Sequence, residues 1–338
     1  MSANGVAVEE TEDALGSVEE VLAKGPWVDK KVAVLCGGES DEREISLKTG
    51  KAMHWALLTL GYEARIVDVS PEGLRSLMEE PPDVVVIAMH GGQGENGSIQ
   101  GFLECLGIPY TGPGVHCSAL SMNKASAKTI WAKAGLPTPE WKLISRESAR
   151  EMLDGEGLEL PLPCVVKPAC GGSSGGVSLV KRQMHAKKAL RKALRNPGPV
   201  IVEGYLQGRE LSVALMDGHV MGIVEIVPIG GFYDYNAKYD SDSGTEYLIP
   251  APLTSRLQVK IAEIATEATR ILEARGVVRV DMFVDESDLP WLLELNTLPG
   301  MTETSLVPKL AAQTGLSFET FVEMILNRAS LDAECEKA

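Results

Sequence analysis

Three short apolar runs near the start of the chain constrain the fold most. They are Lys31–Cys36, Ala64–Val69 and Val84–Met89, and helical patterns at about Glu42–Leu60 and Pro71–Glu79 separate them. Strands that are apolar on both faces occur in parallel sheets covered by helices on both sides, and strand–helix–strand is the βαβ rhythm. The sequence therefore predicts an N-terminal, doubly wound, parallel α/β unit.

The pattern changes after the segment GLPTP, which ends at Pro139 and is typical of a linker. Downstream runs have hairpin-like spacing, and the dipeptide Asp217-Gly218 is a strong signal for a β-hairpin turn. We therefore expect an antiparallel α+β body here, in a chain long enough for two or three domains. The remaining predicted strands are Pro163–Pro168, Val177–Val180, Val200–Glu203, Glu210–Met216, Val220–Val227, Val277–Val284 and Trp291–Asn296. The remaining predicted helices are Ser98–Leu106, Cys117–Ala134, Leu257–Ala274, Leu306–Gln313 and Phe318–Leu326.

Composition narrows the partners and the compartment. The net charge of −15 would repel nucleic acid and anionic membrane surfaces, so neither is expected as a partner. No apolar run approaches the roughly 18 residues of a membrane span, and the acidic start of the chain lacks the basic region of a secretion signal. The six cysteines form no CxxC pair and are expected to be reduced thiols. These features predict a cytoplasmic protein.

Two glycine-rich segments follow strands of the first unit. In CGGESDEREIS, Glu42 lies in the first turn of a helix, where it either contacts a ligand or simply pairs with the helix dipole. The segment HGGQGENGSIQG, which begins at His90, either lets a ligand approach the backbone closely or is a loop in which Asn96 or Ser98 caps the next helix. Both segments would lie at the carboxyl edge of the sheet, where open α/β sheets bind ligands.

Two later loops also have the composition of ligand-binding loops. In KPACGGSSGG, Lys167 precedes the glycines and no helix follows, so this is not a Walker A loop and is better suited to a lid over nucleotide phosphates. The segment 232–247, FYDYNAKYDSDSGTEY, holds four of the seven tyrosines in a polar stretch. A long polar loop in a compact domain is usually functional, and a closing lid is the natural hypothesis.

The sharpest signal is a pair of polar residues on each of two apolar strands. Arg279 and Asp281 are two positions apart in VVRVDMFV, and Glu294 and Asn296 are two positions apart in WLLELN. Residues two apart on a strand point to the same face, so each pair shares one face. Burying an unpaired carboxylate costs several kcal/mol, so something must compensate it. The oxygens of Asp281, Glu294 and Asn296 suit Mg²⁺, and Arg279 beside them suits a developing oxyanion. The alternative is an internal salt-bridge network of Arg279, Asp281 and Glu294.

Seven motifs in order resemble the D-alanine–D-alanine ligases of the ATP-grasp superfamily. They are GGxSxEREIS, HGxxGExGxxQG, SALSMNK, VKPxxxGSSxG, FYDYxAKY, RVD and ELNTxPGMTxxSLVP, and they cover roughly residues 32–326. The resemblance implies an ATP-grasp fold, with an N-terminal doubly wound parallel-sheet domain, in an α/β and α+β chain. It also implies ATP-dependent joining of two D-alanines through an acyl phosphate, for peptidoglycan precursor synthesis. The family is commonly dimeric, so a homodimer is expected.

The same resemblance assigns roles on the amino-acid side of the reaction. Glu42 would hold the ammonium of the first D-alanine, and His90 would lie near that substrate. Ser305 and the Leu306 amide, at a helix start, would receive the carboxylate of the second D-alanine.

For the reacting atoms and the metal, the resemblance implies a second group of residues. Arg279 and the Gly300 amide would form the oxyanion site. Asp281, Glu294 and Asn296 would hold two Mg²⁺ ions, for which Mn²⁺ is a possible substitute.

On the nucleotide side, the implied contacts run from the phosphates through the ribose to the adenine. Lys238 would help to bind the γ-phosphate, Glu210 the ribose, and Glu203 with Leu206 the adenine. The implied ATP-binding residues are Lys124, Lys167, Ser173, Ser174, Glu203, Leu206, Glu210 and Lys238.

Tyr239 bears on the lids and on the second substrate. By resemblance, Ser173 would hydrogen-bond to Glu42 and Tyr239 and so hold the lids closed. Related ligases that make D-alanyl-D-lactate lack this tyrosine, so its presence favours D-alanine as the nucleophile. D-lactate or D-serine as the acceptor, and a nucleotide-binding regulator without activity, are the alternative functions. A dinucleotide-dependent dehydrogenase is rejected because CGGES stands where G-x-G-x-x-G is needed.

The resemblance also predicts the domain boundaries. The sequence departs from the family pattern at Asn96 and Asn123, where aspartate is usual, and at ACGG in the glycine-rich loop, where a charged arginine–glutamate pair is common. None of these is a proposed metal ligand or catalytic group. The predicted parts are an acidic, disordered extension (1–30), an α/β substrate domain (31–122), a central lid domain (123–209), a C-terminal ATP-grasp domain (210–328) with a mobile loop (230–247), and a tail (329–338).

Overall fold

The structure is a computed structural model that describes residues 25–155, 158–172, 175–229, 244–302 and 305–332. Four predicted site residues, Ser173, Ser174, Lys238 and Tyr239, lie outside the described residues. So do residues 1–24 of the predicted extension, most of the predicted lid loop and residues 333–338 of the predicted tail. Within the described ranges, no helix is both long and apolar enough to cross a bilayer.

The first sheet is parallel, as predicted. Its strands are β1 (Lys31–Cys36), β2 (Glu63–Asp68) and β3 (Val84–Ile87), in the order β2-β1-β3. The buried side chains of β1 alternate between two hydrophobic clusters, because the sheet is covered on both faces. The helices of this unit are α1 (Arg43–Thr59), α2 (Pro71–Glu79), α3 (Gly92–Glu95) and α4 (Ser98–Leu106). The next helices, α5 (Val115–Met122) and α6 (Lys124–Lys133), contribute Cys117, Ala127 and Trp131 to a separate hydrophobic cluster.

The single helix predicted over Cys117–Ala134 is wrong, because the chain breaks at Asn123. This residue is extended, and its side chain accepts hydrogen bonds from the amides of Ala125 and Ser126, which caps α6. The Lys124 amide donates to the Ala169 carbonyl at 2.9 Å. The break therefore starts a new helix at Lys124, directly beside the predicted phosphate loop.

A second sheet is antiparallel, in the order β4-β7-β5-β6. The hydrophobic pattern of the sequence did not predict β4 (Trp141–Ile144), α7 (Arg146–Asp154) or α8 (Ala186–Ala193). The outer strand β4 is short and only half buried, and α8 buries one leucine among alanines, so neither contains a long apolar run. The elements are β4 (Trp141–Ile144), α7 (Arg146–Asp154), β5 (Cys164–Pro168), β6 (Ser178–Val180), α8 (Ala186–Ala193) and β7 (Val200–Gly204).

The third sheet is also antiparallel, in the order β10-β9-β8-β11-β12. The predicted hairpin at Asp217-Gly218 is confirmed, and both residues have the positive φ that such a turn needs. One face of the sheet packs on α9, so Val278 and Val280 are buried, while the alternate residues point away from that helix. The elements are β8 (Gly208–Met216), β9 (His219–Val227), β10 (Glu246–Leu248), α9 (Ser255–Ile271), β11 (Val277–Asp285), β12 (Pro290–Asn296), α10 (Leu306–Gln313) and α11 (Phe318–Leu326).

Candidate active site

One cavity of about 630 Å³ opens where the three sheets meet. It is lined by every predicted site residue within the described part of the chain, although these residues come from distant parts of the sequence. They are Glu42, His90, Lys124, Lys167, Glu203, Leu206, Glu210, Arg279, Asp281, Glu294, Asn296, Gly300, Ser305 and Leu306. Their individual roles remain predictions.

The centre of the cavity is the polar face of β11 and β12. The register pairs Arg279 with Asn296 and Asp281 with Glu294. The Arg279 guanidinium binds Asp281 through two hydrogen bonds of 2.7 Å, and the Ser212 hydroxyl donates to the same carboxylate at 2.6 Å. The salt-bridge alternative is therefore present in part, as the pair formed by Arg279 and Asp281.

A β-bulge on β12 changes the side-chain alternation beside this centre. The register shifts between Asp281 and Met282, so Leu293 is left without a partner residue on β11. Both Leu293 and Glu294 line the cavity, although neighbouring residues of a regular strand point to opposite faces. The bulge therefore adds an apolar wall at Leu293 next to the Glu294 carboxylate.

The predicted metal ligands suit a hard cation. The Asn296 Oδ1 atom is buried without a hydrogen-bond partner, which is costly for an amide oxygen unless another group binds it. Across the described ranges, no three His, Cys, Asp or Glu side chains form a metal-binding group. The predicted set is different, because it combines two carboxylates, Asp281 and Glu294, with this amide oxygen. Such an all-oxygen set fits Mg²⁺, which takes its other ligands from water and phosphate.

Lys124 connects the predicted phosphate loop to β12, which carries the predicted metal ligands Glu294 and Asn296. Its Nζ atom donates to the Gly171 carbonyl at 2.6 Å and lies 3.0 Å from Glu294 Oε2. Burial alone would lower the pKa of the ammonium, but the nearby Glu294 carboxylate outweighs it and leaves the pKa raised. Lys124 therefore keeps its positive charge where phosphates are predicted to bind.

A second charged cluster surrounds Glu203, which also lines the cavity. Glu203 on β7 is 4% exposed and stands between two lysines, with Oε1 2.5 Å from Lys167 Nζ and Oε2 3.1 Å from Lys128 Nζ. Burial opposes ionisation of Glu203, but the two ammonium groups outweigh it and hold the pKa of the carboxyl below its usual value. Lys128 is itself fully buried, and burial lowers its pKa to about 8.

Sequence reasoning did not identify Lys128 or Glu95. Lys128 stands four residues after Lys124 on α6, so the helical period placed both on one face. Glu95, the last residue of α3, is buried and lines the cavity. Each of the two lies close in sequence to a predicted site residue, which could have identified it. Charged residues usually face solvent, however, so this proximity alone did not indicate a buried position.

Glu42 and His90, the two predicted contacts of the first substrate, both line the cavity. His90 Nδ1 lies 2.9 Å from the Leu298 carbonyl, which only accepts, so this nitrogen carries a proton, and Nε2 lies 2.8 Å from the Thr49 hydroxyl. Glycines at 91 and 172 allow backbone to approach Glu42, because an added Cβ at either would come within 2.6 Å of its Oε2 atom. The ring is thus fixed, and the carboxylate is closely surrounded.

Ser305 and Gly300 form the remaining wall. The Ser305 hydroxyl accepts from the Thr302 amide at 3.1 Å and precedes the first residue of α10, Leu306. A Cβ at Gly300 would approach the Ser305 Oγ atom to 2.9 Å, so glycine permits the close packing of this turn. The helix start and the turn together present backbone amides, which favour a carboxylate.

We expect alkylation of Cys170 to slow turnover. The residue is half-buried in the predicted phosphate loop, its backbone pairs with Asn123, and burial raises the pKa of its thiol. An added group would keep the loop from closing. Turnover is measured after stoichiometric modification of a Cys105→Ser variant, with the modified site located by mass spectrometry. The matched control is a Cys170→Ser variant, in which the exposed Cys105 reacts. Equal turnover of the two modified proteins would refute the prediction.

Two family models match the chain. The model for the D-ala D-ala ligase C-terminus matches residues 130–327, and the model for the N-terminus of the same family matches residues 72–113. Both matches include segments that line the cavity.

Curated relatives and solved structures agree with these models. The D-alanine–D-alanine ligase of Anaeromyxobacter sp. (strain Fw109-5) is 46% identical over 91% of this chain and 100% of its own length. That of Gloeobacter violaceus is 43% identical over 89% and 100%. The crystal structure of the Bacillus anthracis D-alanine–D-alanine ligase complexed with ATP is 32% identical, with a TM-score of 0.76 over 91% of this chain and 99% of that one. The chain has the ATP-grasp fold and belongs to the D-alanine–D-alanine ligase family.

Proposed function

We propose that the chain joins two D-alanines to D-alanyl-D-alanine, with conversion of ATP to ADP and phosphate. The observation that carries the proposal is one continuous cavity with three kinds of lining. It is lined by Glu42 and His90, the proposed substrate contacts, by Lys167 and Glu203, the proposed nucleotide contacts, and by Arg279, the proposed oxyanion contact. Membership of the family and the named activity of the relatives support the same reaction.

The proposed nucleotide half is lined by both charged and apolar side chains, as a site for ATP requires. Lys124 and Lys167 would bind the phosphates, Glu210 the ribose, and Glu203 with Leu206 the adenine. Apolar side chains, including Val165, Phe283 and Leu293, also line the cavity and would pack against the base. The related Bacillus anthracis enzyme has been crystallised with ATP, which supports this nucleotide.

The chemistry starts with a carboxylate, which is a poor electrophile. A carboxylate oxygen of the first D-alanine attacks the γ-phosphorus and ADP leaves, which gives an acyl phosphate. The amine of the second D-alanine then attacks the carbonyl carbon and loses a proton, and the tetrahedral intermediate expels phosphate. Arg279 and the Gly300 amide would stabilise the oxyanion, because their positive charge and N–H dipole match the charge that develops there. Glu42 would hold the first ammonium, and Ser305 the second carboxylate.

The metal site belongs to the same proposal. Asp281, Glu294 and Asn296 would hold Mg²⁺, in two ions, with Mn²⁺ as a possible substitute. When bound, the metal would neutralise phosphate charge during transfer. Two observations support this role. Asp281 is held in place by its hydrogen bond with Arg279, and the buried amide oxygen of Asn296 has no hydrogen-bond partner.

The assembly and the location are further parts of the proposal. The proposed homodimer and the proposed cytoplasmic location rest on the resemblance to the family. The three-domain division, including the lid loop with Lys238 and Tyr239, stays a prediction.

Phosphate release tests the proposed function directly. The protein is incubated with ATP and Mg²⁺ plus D-alanine, L-alanine, or D-alanine with D-lactate, and the products are identified by mass. We expect release with D-alanine alone and formation of the D-alanyl-D-alanine dipeptide. Release only after addition of D-lactate would retain the mechanism but overturn the acceptor. No release under any of these conditions would contradict the proposal.

A further inference from the structure

Lys128 is a buried lysine that belongs to none of the predicted binding sets. Its Nζ atom donates to Thr138 Oγ1 at 2.8 Å and to the Leu292 carbonyl at 3.4 Å, and it lies 3.1 Å from Glu203 Oε2. Its side chain has no exposed surface and does not line the cavity. A buried ammonium with three oxygen partners from three separate segments is held in one orientation.

The position of Lys128 gives Glu203 a counter-ion that a ligand does not displace. Lys167, the other partner of Glu203, reaches the cavity and is predicted to bind phosphate, so an incoming nucleotide would draw its charge away from Glu203. Lys128 lies behind the cavity wall and remains beside Glu203. Without it, the carboxylate would be buried with no dedicated cation, and it would turn or take up a proton.

A fixed, ionised carboxylate distinguishes one purine base from another. A carboxylate only accepts hydrogen bonds. Adenine carries an amino donor at the edge where guanine carries a carbonyl acceptor. A Glu203 carboxylate held towards that edge would attract adenine and repel guanine, whereas a protonated or rotated carboxyl would lose this discrimination.

We propose that Lys128 is a positioning residue that holds the Glu203 carboxylate towards the nucleobase and thereby sets the preference for adenine over guanine nucleotides. This inference rests on the proposed use of ATP and on the predicted place of the base beside Glu203. Lys128 is anchored by the Leu292 carbonyl, acts through Glu203 and touches no substrate.

The test compares the binding of ADP and GDP by calorimetry, without any amino acid. For Lys128→Met we expect the ADP affinity to fall about tenfold or more and the GDP affinity to change much less, because a charge-assisted contact to adenine is lost. In steady-state assays the KM for ATP rises, while the KM for D-alanine stays within about twofold. Lys133→Met is the matched control, since Lys133 is exposed on the same helix, and it should match the wild type. Equal loss of ADP and GDP affinity, or no loss of either, would overturn the inference.

A double-mutant cycle with Glu203→Gln separates positioning from a general effect on stability. If Lys128 acts through the Glu203 charge, Lys128→Met has no further effect on the ADP-to-GDP affinity ratio in the Glu203→Gln background. Additive effects would overturn the inference. The double variant leaves no buried carboxylate without its cation, so it serves if Lys128→Met alone does not fold. Thr138→Val, which removes one anchor and keeps both charges, should then lower the same ratio to a smaller extent.

The nucleotide experiment is independent of the proposed ligation. If the wild type binds ADP in preference to GDP but forms no dipeptide, the proposed function fails and the cycle still tests Lys128. If it forms dipeptide but Lys128→Met keeps the wild-type ADP-to-GDP ratio, only the inference about Lys128 fails.

Discussion

Arg279→Met lowers kcat for dipeptide formation by about 100- to 1,000-fold, which is the usual effect of removing an oxyanion-stabilising group. Arg279 is only 8% exposed, and its guanidinium is held by two hydrogen bonds to Asp281, so its positive charge is fixed before the reaction starts. Methionine has a similar length but neither the charge nor the donors. The KM for ATP should change much less than kcat, because the lost interaction is made mainly in the transition state.

Two further variants of arginine residues sharpen this test. Arg279→Lys keeps the charge but loses the paired N–H groups, so we expect an intermediate kcat. Arg270→Met is the matched control, since Arg270 is an exposed arginine that pairs with Glu267 on α9, and it should leave kcat unchanged. If Arg279→Met raised the KM for ATP and kept kcat, Arg279 would be a nucleotide-binding residue instead. If activity fell only in proportion to folded protein, the pair with Asp281 would be structural.

Asn296→Leu lowers the rate of dipeptide formation by about a hundredfold or more, without lowering the free energy of unfolding. The Asn296 Oδ1 atom is buried and has no hydrogen-bond partner. An unsatisfied buried oxygen costs about 1–3 kcal/mol, and leucine of similar shape removes that cost. If the oxygen is a metal ligand, its loss weakens Mg²⁺ binding. The measurements are chemical denaturation without metal and activity as a function of Mg²⁺ concentration.

A matched control exists at the C-terminal end of α11. Asn327 Oδ1 is likewise buried without a partner, but this residue does not line the cavity. Asn327→Leu should therefore keep full activity at an equal or higher stability. If Asn296→Leu lost stability and activity together, Asn296 would be a structural amide. Unchanged activity in Asn296→Leu would remove it from the predicted metal ligands.

The spacing of apolar residues predicted most helices and strands, because the side chains that pack against the sheets recur with the period of the helix or strand that carries them. The helices Pro71–Glu79, Ser98–Leu106, Leu306–Gln313 and Phe318–Leu326 have the predicted bounds. The break at Asn123 was missed because it depends on the distant Ala169 carbonyl. An apolar pattern contains no information about such a partner.

The cavity residues were named by motif, but their geometry could not be read from the sequence. Lys124 and Glu294 lie 170 positions apart, and only the fold brings the ammonium within 3.0 Å of the carboxylate. The bulge at Leu293 depends on the register between two strands. Lys128 was missed because its burial results from Thr138, Leu292 and Glu203, none of which is near it in the pattern of α6.

In the proposed reaction, a D-alanine carboxylate is phosphorylated before the peptide bond forms. The most direct test uses D-alanine with both carboxylate oxygens labelled with ¹⁸O, together with ATP and Mg²⁺, and measures the isotope content of the released phosphate by mass. An acyl phosphate transfers one labelled oxygen to each phosphate, because the carboxylate oxygen that attacked phosphorus leaves with it. Phosphate carrying one ¹⁸O per dipeptide is the predicted result. Unlabelled phosphate released alongside dipeptide would show that the peptide bond does not form through an acyl phosphate.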